Sequence, residues 1–236
     1  MEYTSRANEA IAVSEAGTDV RSAFIIKTYT HLLGAILAFT GLEIIFFKTG
    51  FALKFTELLM GSRFGWLLVL GAFMLVGTVG SSLARKADSK TAQYTGLGIY
   101  VVAETIIFAP LLYMANYYSG TEIIANAAAI TMVGFLGLTA VAFKSRRDFS
   151  GLGPYLMWAS FCAIGLIVAS ILMGFQLGVL FFSAMIALAG GYILKQTSTM
   201  MRTYPTTHYV SASLELFASV ALMFWYVLNL LMSLRD

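Results

Sequence analysis

The chain has 236 residues, 59% of them apolar and 11% charged, whereas soluble domains average about 45–50% apolar and ~25% charged. This composition excludes an ordinary soluble domain and predicts a polytopic membrane protein whose main partner is the lipid bilayer. The net charge of +3 is explained by membrane topology and predicts no nucleic-acid partner. A single cysteine, Cys162, excludes an internal disulfide and a cysteine metal cluster.

Residues 1–23, from Met1 to Ala23, contain acids and arginines but no apolar run. They are expected to form a mobile tail outside the membrane. Residues 24–236 are expected to form one transmembrane domain, because no hydrophilic stretch among them is long enough to fold alone.

The apolar stretches predict an all-α fold, a bundle of seven transmembrane helices. A hydrocarbon core of ~30 Å requires about 20 apolar residues per helix. No charged side chain occurs between Asp148 and Lys195, so this stretch is expected to form two spans joined by a tight hairpin near Gly174. The predicted spans are residues 24–47, 64–84, 95–115, 123–143, 155–174, 177–194 and 209–233.

The distribution of lysine and arginine predicts the orientation, since cytoplasmic loops are enriched in both. With the N-terminus in the cytoplasm, eleven of the 15 basic residues lie on the cytoplasmic side and four outside. The eleven are Arg6, Arg21, Lys27, Arg85, Lys86, Lys90, Lys144, Arg146, Arg147, Lys195 and Arg202. Seven spans then place the C-terminus outside.

Four ionisable groups lie inside predicted spans: His31, Glu43, Glu104 and Glu215. Each is a functional candidate, because a charge at a helix centre costs about 2.5–3.5 kcal/mol on insertion scales. Glu104 is either a protonated glutamate hydrogen-bonded to a neighbouring helix or part of an ion path or proton relay. Glu43, near the outer end of its span, is expected to reach water.

The last span carries a polar stripe at helical spacing, which is expected to face the bundle interior. It either lines a water-filled path or holds helices together. Lys195 and Gln196 end the sixth span on the side where Glu215 enters the seventh, which would allow a Lys195–Glu215 ion pair. The stripe consists of His208, Ser211, Glu215, Ser219, Tyr226 and Asn229.

Enzyme signatures are missing from the sequence. It contains no Gly-x-Ser-x-Gly, no His-Glu-x-x-His and no phosphate-binding glycine loop, and only two histidines. The sequence therefore predicts no catalytic residues, no cofactor and no metal centre.

Several segments, in order along the chain, resemble the Bax inhibitor family of membrane proteins. The resemblance covers nearly all of the chain after the tail, although no single segment is specific alone. The segments are Lys27-Thr28-Tyr29, Ala109-Pro110-Leu111, Ala128-x-x-Thr131 with Phe135, the loop from Lys144 through Asp148-Phe149-Ser150 to Gly153, Tyr192 through Lys195-Gln196 to Ser198, and Leu222-Met223-Phe224.

The resemblance implies that channel-like family members hold an acid in the place of Gln196 and an aspartate in the place of Ser219. That pair is implied to gate a proton-sensitive calcium leak. Both positions are uncharged here, so the gate does not carry over, and Glu215 supplies at most one displaced carboxylate. The chain looks closer to a bacterial subgroup that is implied to bind the membrane-anchored ATP-dependent protease of the inner membrane.

Two hypotheses therefore stand. The favoured one is an inner-membrane modulator or decoy substrate of a membrane-anchored AAA protease in the stress response, with residues 1–23 as the segment that the protease grips. The alternative is a calcium or other cation leak. Its candidate path or gate residues are Glu104, Glu215, Gln196, Ser219, Lys195 and His208.

Overall fold

A computed structural model describes residues 11–61, 64–84, 89–145 and 147–235. Within these residues the chain is helical, with one isolated β-bridge between Ala12 and Pro205, which agrees with the predicted all-α class. A 3₁₀ turn, Ser150–Leu152, precedes the sixth helix. The helices are α1 (Thr18–Lys48), α2 (Phe51–Met60), α3 (Gly65–Ala84), α4 (Lys90–Ser119), α5 (Thr121–Lys144), α6 (Gly153–Met173), α7 (Val179–Arg202) and α8 (Tyr209–Ser233).

Six helices in the described part of the chain are long and apolar enough to cross a membrane: α1, α4, α5, α6, α7 and α8. A seventh crossing is added if α2 and the first 16 residues of α3, Gly65–Gly80, which meet at 117°, form one bent span. The chain is therefore a multi-pass membrane protein. The predicted count of seven holds if this bent pair is one span.

The predicted hairpin near Gly174 is confirmed. Gly174 ends α6 with a φ of +76°, a left-handed conformation that glycine adopts without a steric penalty. Its amide donates to the Ser170 carbonyl oxygen at 2.8 Å, and α7 begins at Val179. The connection is thus a few residues long, and α6 and α7 pack side by side.

The centre of the bundle is formed by α4 and α8. Helix α8 contacts α1, α4, α5 and α7, whereas α6 is exposed along most of its length. The Phe108 ring of α4 is 1% exposed and lies between the rings of Phe39, Phe224 and Trp225, at centroid distances of 5.2, 5.7 and 5.0 Å. Aromatic pairs at these distances add to the stabilisation from burial.

The starts of α1, α4, α6 and α8 lie at the same end of the bundle as the ends of α5 and α7. We call this the Asp148 end. Ser14 donates to the Arg202 carbonyl oxygen at 2.6 Å, and Lys90 donates to the Tyr209 hydroxyl at 2.8 Å. At the opposite end, the Arg235 guanidinium donates to the Ser119 carbonyl oxygen at 2.6 Å.

Residues 11–23, which were expected to belong to a mobile tail, have a defined structure. Helix α1 begins at Thr18, and the segment before it pairs with the turn between α7 and α8. The Val13 amide donates to the Tyr204 carbonyl oxygen at 2.9 Å, and the Val13 side chain is fully buried. Backbone pairing and one buried valine within the apolar run Ile11-Ala12-Val13 hold this segment against the bundle. Residues 1–10 lie outside the described residues.

Positions at the Asp148 end are expected to be accessible from the same side of a membrane. With exposed Cys162 replaced by serine, Glu15→Cys and Lys144→Cys should react with a membrane-impermeant maleimide from one side of sealed, oriented vesicles. Lys48→Cys should react only from the other side, because it ends α1 at the opposite end. Labelling of all three positions from one side would contradict this arrangement.

Candidate functional site

The α7–α8 interface brings two predicted positions, Gln196 and Ser219, into direct contact. The Ser219 hydroxyl donates to Gln196 Oε1 at 2.6 Å, and the Glu215 carbonyl oxygen lies 3.2 Å from the same hydroxyl. Ser219 is 4% exposed and Gln196 is half-buried. A short connection makes α7 and α8 antiparallel neighbours, so the end of α7 faces the first half of α8. The result is a neutral hydrogen bond between helices.

The expected ion pair between Lys195 and Glu215 is not formed. Both side chains are half-buried, and among the described residues they form no ion pair within 4.0 Å. A β-carbon added to Gly153 would lie 3.5 Å from Lys195 Cε, so the lysine stem extends toward the start of α6. Successive residues point about 100° apart around a helix. Because Gln196 faces α8, Lys195 is turned away from it.

The polar stripe of α8 faces the bundle interior, as predicted. His208, Ser211 and Ser219 are all buried. His208 immediately precedes the helix, and its carbonyl oxygen accepts from the Ala212 amide at 3.0 Å. Near the other end, the Asn229 amide donates to the Trp225 carbonyl oxygen of the same helix at 2.8 Å. These two hydrogen bonds lie within α8, whereas the Ser219–Gln196 hydrogen bond joins α8 to α7.

Two buried carboxyl groups lie elsewhere in the bundle. Glu104 of α4 is fully buried, and neither carboxylate oxygen has a well-formed hydrogen bond to a described residue, although the Tyr100 side chain one turn earlier interacts with it. Glu43 of α1 is 6% exposed, and its oxygens likewise lack partners among the described residues. The expectation that Glu43 reaches water is therefore wrong. The position of a residue along a span predicts its depth in the membrane, whereas its burial depends on whether its side of the helix packs against a neighbouring helix.

A further polar contact, not selected from the sequence, connects the α5–α6 loop to the end of α7. Asp148 Oδ1 accepts from the Ser150 amide at 2.9 Å and from the Ser198 hydroxyl at 3.4 Å. The Arg202 Nε lies 3.8 Å from the same oxygen, and the Ser198 hydroxyl accepts from the Phe149 amide at 3.1 Å. The Ser150 hydrogen bonds, and secondarily Arg202 and Ser198, hold the pKa of Asp148 below its ordinary value.

The described residues contain no group of three or more His, Cys, Asp or Glu side chains that could hold a metal ion. The candidate residues also do not form one cluster. Gln196 and Ser219 form a hydrogen bond, whereas Lys195 extends toward α6. Glu104 is buried separately, in α4. The arrangement is a set of separate helix contacts that surround α8.

Comparison with known proteins identifies the class to which this bundle belongs. The family model described as "Inhibitor of apoptosis-promoting Bax1" matches residues 21–236, nearly the whole chain. The chain therefore belongs to the Bax inhibitor family, as its sequence resemblance indicated.

Relatives are found in fungi and in bacteria. Bax inhibitor 1 of Schizosaccharomyces pombe is 28% identical over 95% of this chain and 81% of its own length. An uncharacterized protein of Neisseria meningitidis is 30% identical over 60% of this chain, and the match spans 63% of that protein. An uncharacterized membrane protein of Vibrio cholerae is 31% identical over 50% of this chain and 55% of its own length.

The Asp148 contacts predict a pH-dependent effect on stability. Asp148→Asn keeps the side-chain shape and one acceptor oxygen but removes the charge that faces Arg202. Because the pKa of Asp148 is lowered in the folded protein, its stabilising contribution is present above its ordinary pKa of about 3.9 and is lost as the pH falls through the folded value. We expect Asp148→Asn to lower Tm in detergent by on the order of 1–3 °C at pH 7.

The difference in Tm between the two proteins should disappear as the pH falls through the lowered pKa of folded Asp148. Glu57→Gln, at an exposed position in α2, is the matched control and should leave Tm unchanged at both pH values. An equal loss in the control, or a Tm difference that persists at low pH, would contradict the role of the Asp148 carboxylate.

Proposed function

We propose that this protein is an integral inner-membrane component that binds and modulates a membrane-anchored AAA protease during membrane protein quality control under stress. In this proposal it has no catalytic role. The Asp148 end faces the cytoplasm and the C-terminus lies outside, in keeping with the excess of lysine and arginine at the Asp148 end.

The observation that carries the proposal is the attachment of the N-terminal segment at the Asp148 end. The bridge between Ala12 and Pro205 and the Val13–Tyr204 hydrogen bond hold the segment against the turn between α7 and α8. Ile11, the first described residue, therefore lies at the end of the bundle that carries most of the basic residues. A protease that grips residues 1–10 would have to detach the segment around Val13 before it could pull on α1.

The bundle provides resistance to such a pull. Helix α1 packs against both central helices, α4 and α8, and has 31 residues, a length of about 46 Å. Its removal would expose buried polar groups, such as Glu43, to lipid, which is costly. A substrate with an accessible end and a bundle that is hard to extract would occupy the protease and slow its action on other membrane proteins.

A cation leak remains the second candidate, favoured by one observation. The Glu104 carboxyl group is fully buried in a central helix and lacks a well-formed hydrogen bond to a described residue. Calcium ordinarily takes about six to eight oxygen ligands, and the described residues around Glu104 offer no second acid in a metal-binding group. The neutral Gln196–Ser219 pair also lacks the charge that a proton-sensitive gate would need.

Deletion of residues 2–10 tests the proposal while it keeps the docked segment intact. We expect the shortened protein to fold, to co-purify with the protease and to be degraded several-fold more slowly than the full chain in cells. A deletion that extended past Val13 would remove a buried side chain and confound the result.

Replacement of residues 2–10 by a Gly/Ser segment of equal length is the matched control, and it should restore degradation if length rather than sequence is gripped. Degradation of the shortened protein at the full-chain rate would exclude a grip at this segment. If the full chain does not co-purify with the protease, the protease is excluded as a partner.

A further inference from the structure

A cluster of basic and aromatic side chains lies where α1, α4 and α8 meet at the Asp148 end. His31 Nε2 lies 2.9 Å from the Tyr94 hydroxyl, and His31 Nδ1 lies 2.7 Å from the Lys27 carbonyl oxygen. Since that carbonyl oxygen can only accept, Nδ1 is the donor of this hydrogen bond. The ring is thereby held in one orientation, with its centre 5.1 Å from that of the Tyr209 ring and its plane tilted by 51°.

Two lysine side chains converge on the same tyrosine. Lys27 Nζ lies 5.4 Å and Lys90 Nζ 4.3 Å from the centre of the Tyr209 ring, and Lys90 also donates to its hydroxyl. Both lysines are exposed, and no carboxylate of a described residue lies within 4.0 Å of either ammonium group. Two like charges held beside one ring repel each other, and an anion between them would relieve that repulsion.

An apolar groove begins at this cluster and runs between α1 and α4. It has a volume of about 470 Å³, and His31 and Tyr94 form part of its wall. Gly34 and Gly98 lie on the two sides of the groove, and a β-carbon added at either would meet no atom within 4 Å. Glycine at these positions therefore keeps the groove open. The groove lies within two candidate membrane spans, where its surroundings are lipid chains.

We propose that this groove binds one anionic phospholipid, with an acyl chain along Gly34 and Gly98 and the phosphate between Lys27 and Lys90. Charge complementarity selects the headgroup, since basic pockets between transmembrane helices at the membrane surface bind anionic lipids. The continuous apolar groove selects a lipid over a soluble anion, which would use the charges alone. The proposal is independent of protease binding.

The test compares lipids that share acyl chains and differ in charge. The purified full chain in detergent is titrated with phosphatidylglycerol or phosphatidylcholine, and binding is followed by native mass spectrometry and by Tm. The unmodified protein should prefer phosphatidylglycerol by about tenfold or more, since each lysine near an anionic surface contributes about 1 kcal/mol. Lys27→Gln with Lys90→Gln should abolish most of this preference.

Three comparisons make the result specific. Lys48→Gln with Lys54→Gln, at exposed positions outside the cluster, is the matched control and should keep the preference. Gly98→Leu should fill the groove and weaken binding of phosphatidylglycerol without unfolding the protein. Glycerol 3-phosphate, which carries the charge without the chains, should give no shift in Tm at concentrations where the lipid does.

The proposal is overturned by equal binding of the two lipids, by an equal loss in the control lysine pair, or by undiminished binding in Gly98→Leu. A Tm shift with glycerol 3-phosphate equal to that with phosphatidylglycerol would likewise overturn it, because the site would then bind a bare anion. If Lys90→Gln lowers the yield of folded protein, Lys27→Gln alone should still reduce the preference several-fold.

Discussion

One constraint governs the fold: polar groups of the membrane-spanning helices must be kept away from lipid, which offers them no hydrogen-bond partners. Helix α8 carries three buried serines, Ser211, Ser213 and Ser219, and is surrounded by α1, α4, α5 and α7. At the α7–α8 interface the Ser219 hydroxyl donates a hydrogen bond to Gln196. The side-chain amide of Asn229 donates to a carbonyl oxygen of its own helix. The central position of α8 is thus a consequence of its polar residues as well as of its apolar ones.

The same constraint explains why chemistry concentrates at the Asp148 end. There the helices approach water, so charged groups such as Asp148, Lys27 and Lys90 remain solvated while their contacts organise the loops. Asp148 connects the α5–α6 loop to α7, and the segment around Val13 connects the N-terminal region to the turn before α8. In our proposal the protease acts at this end and an anionic lipid binds beside it, so both partners would meet the same set of helix termini.

Much of the fold follows from hydropathy alone, since the length of an apolar stretch and a glycine at position 174 are enough to predict spans and the hairpin. The sequence did not predict helix α2, residues 51–60, because a helix of ten residues is too short to be recognised as a membrane span. Two expectations were wrong for the same reason: the Lys195–Glu215 ion pair and the access of Glu43 to water. Both depend on the rotation of each helix about its axis, which is set by packing against several neighbours and is not encoded in the depth of a residue.

The polar groups of α8 are inferred to stabilise the packing of helices and not to conduct ions. Calcium flux into proteoliposomes that hold the purified, unmodified protein, measured at an acidic and a neutral pH, is the decisive measurement. We expect flux equal to that of protein-free liposomes at both pH values, because the Gln196–Ser219 pair has no charge to titrate. A pH-dependent flux that Glu104→Gln abolishes without a decrease in Tm would contradict it and establish the leak.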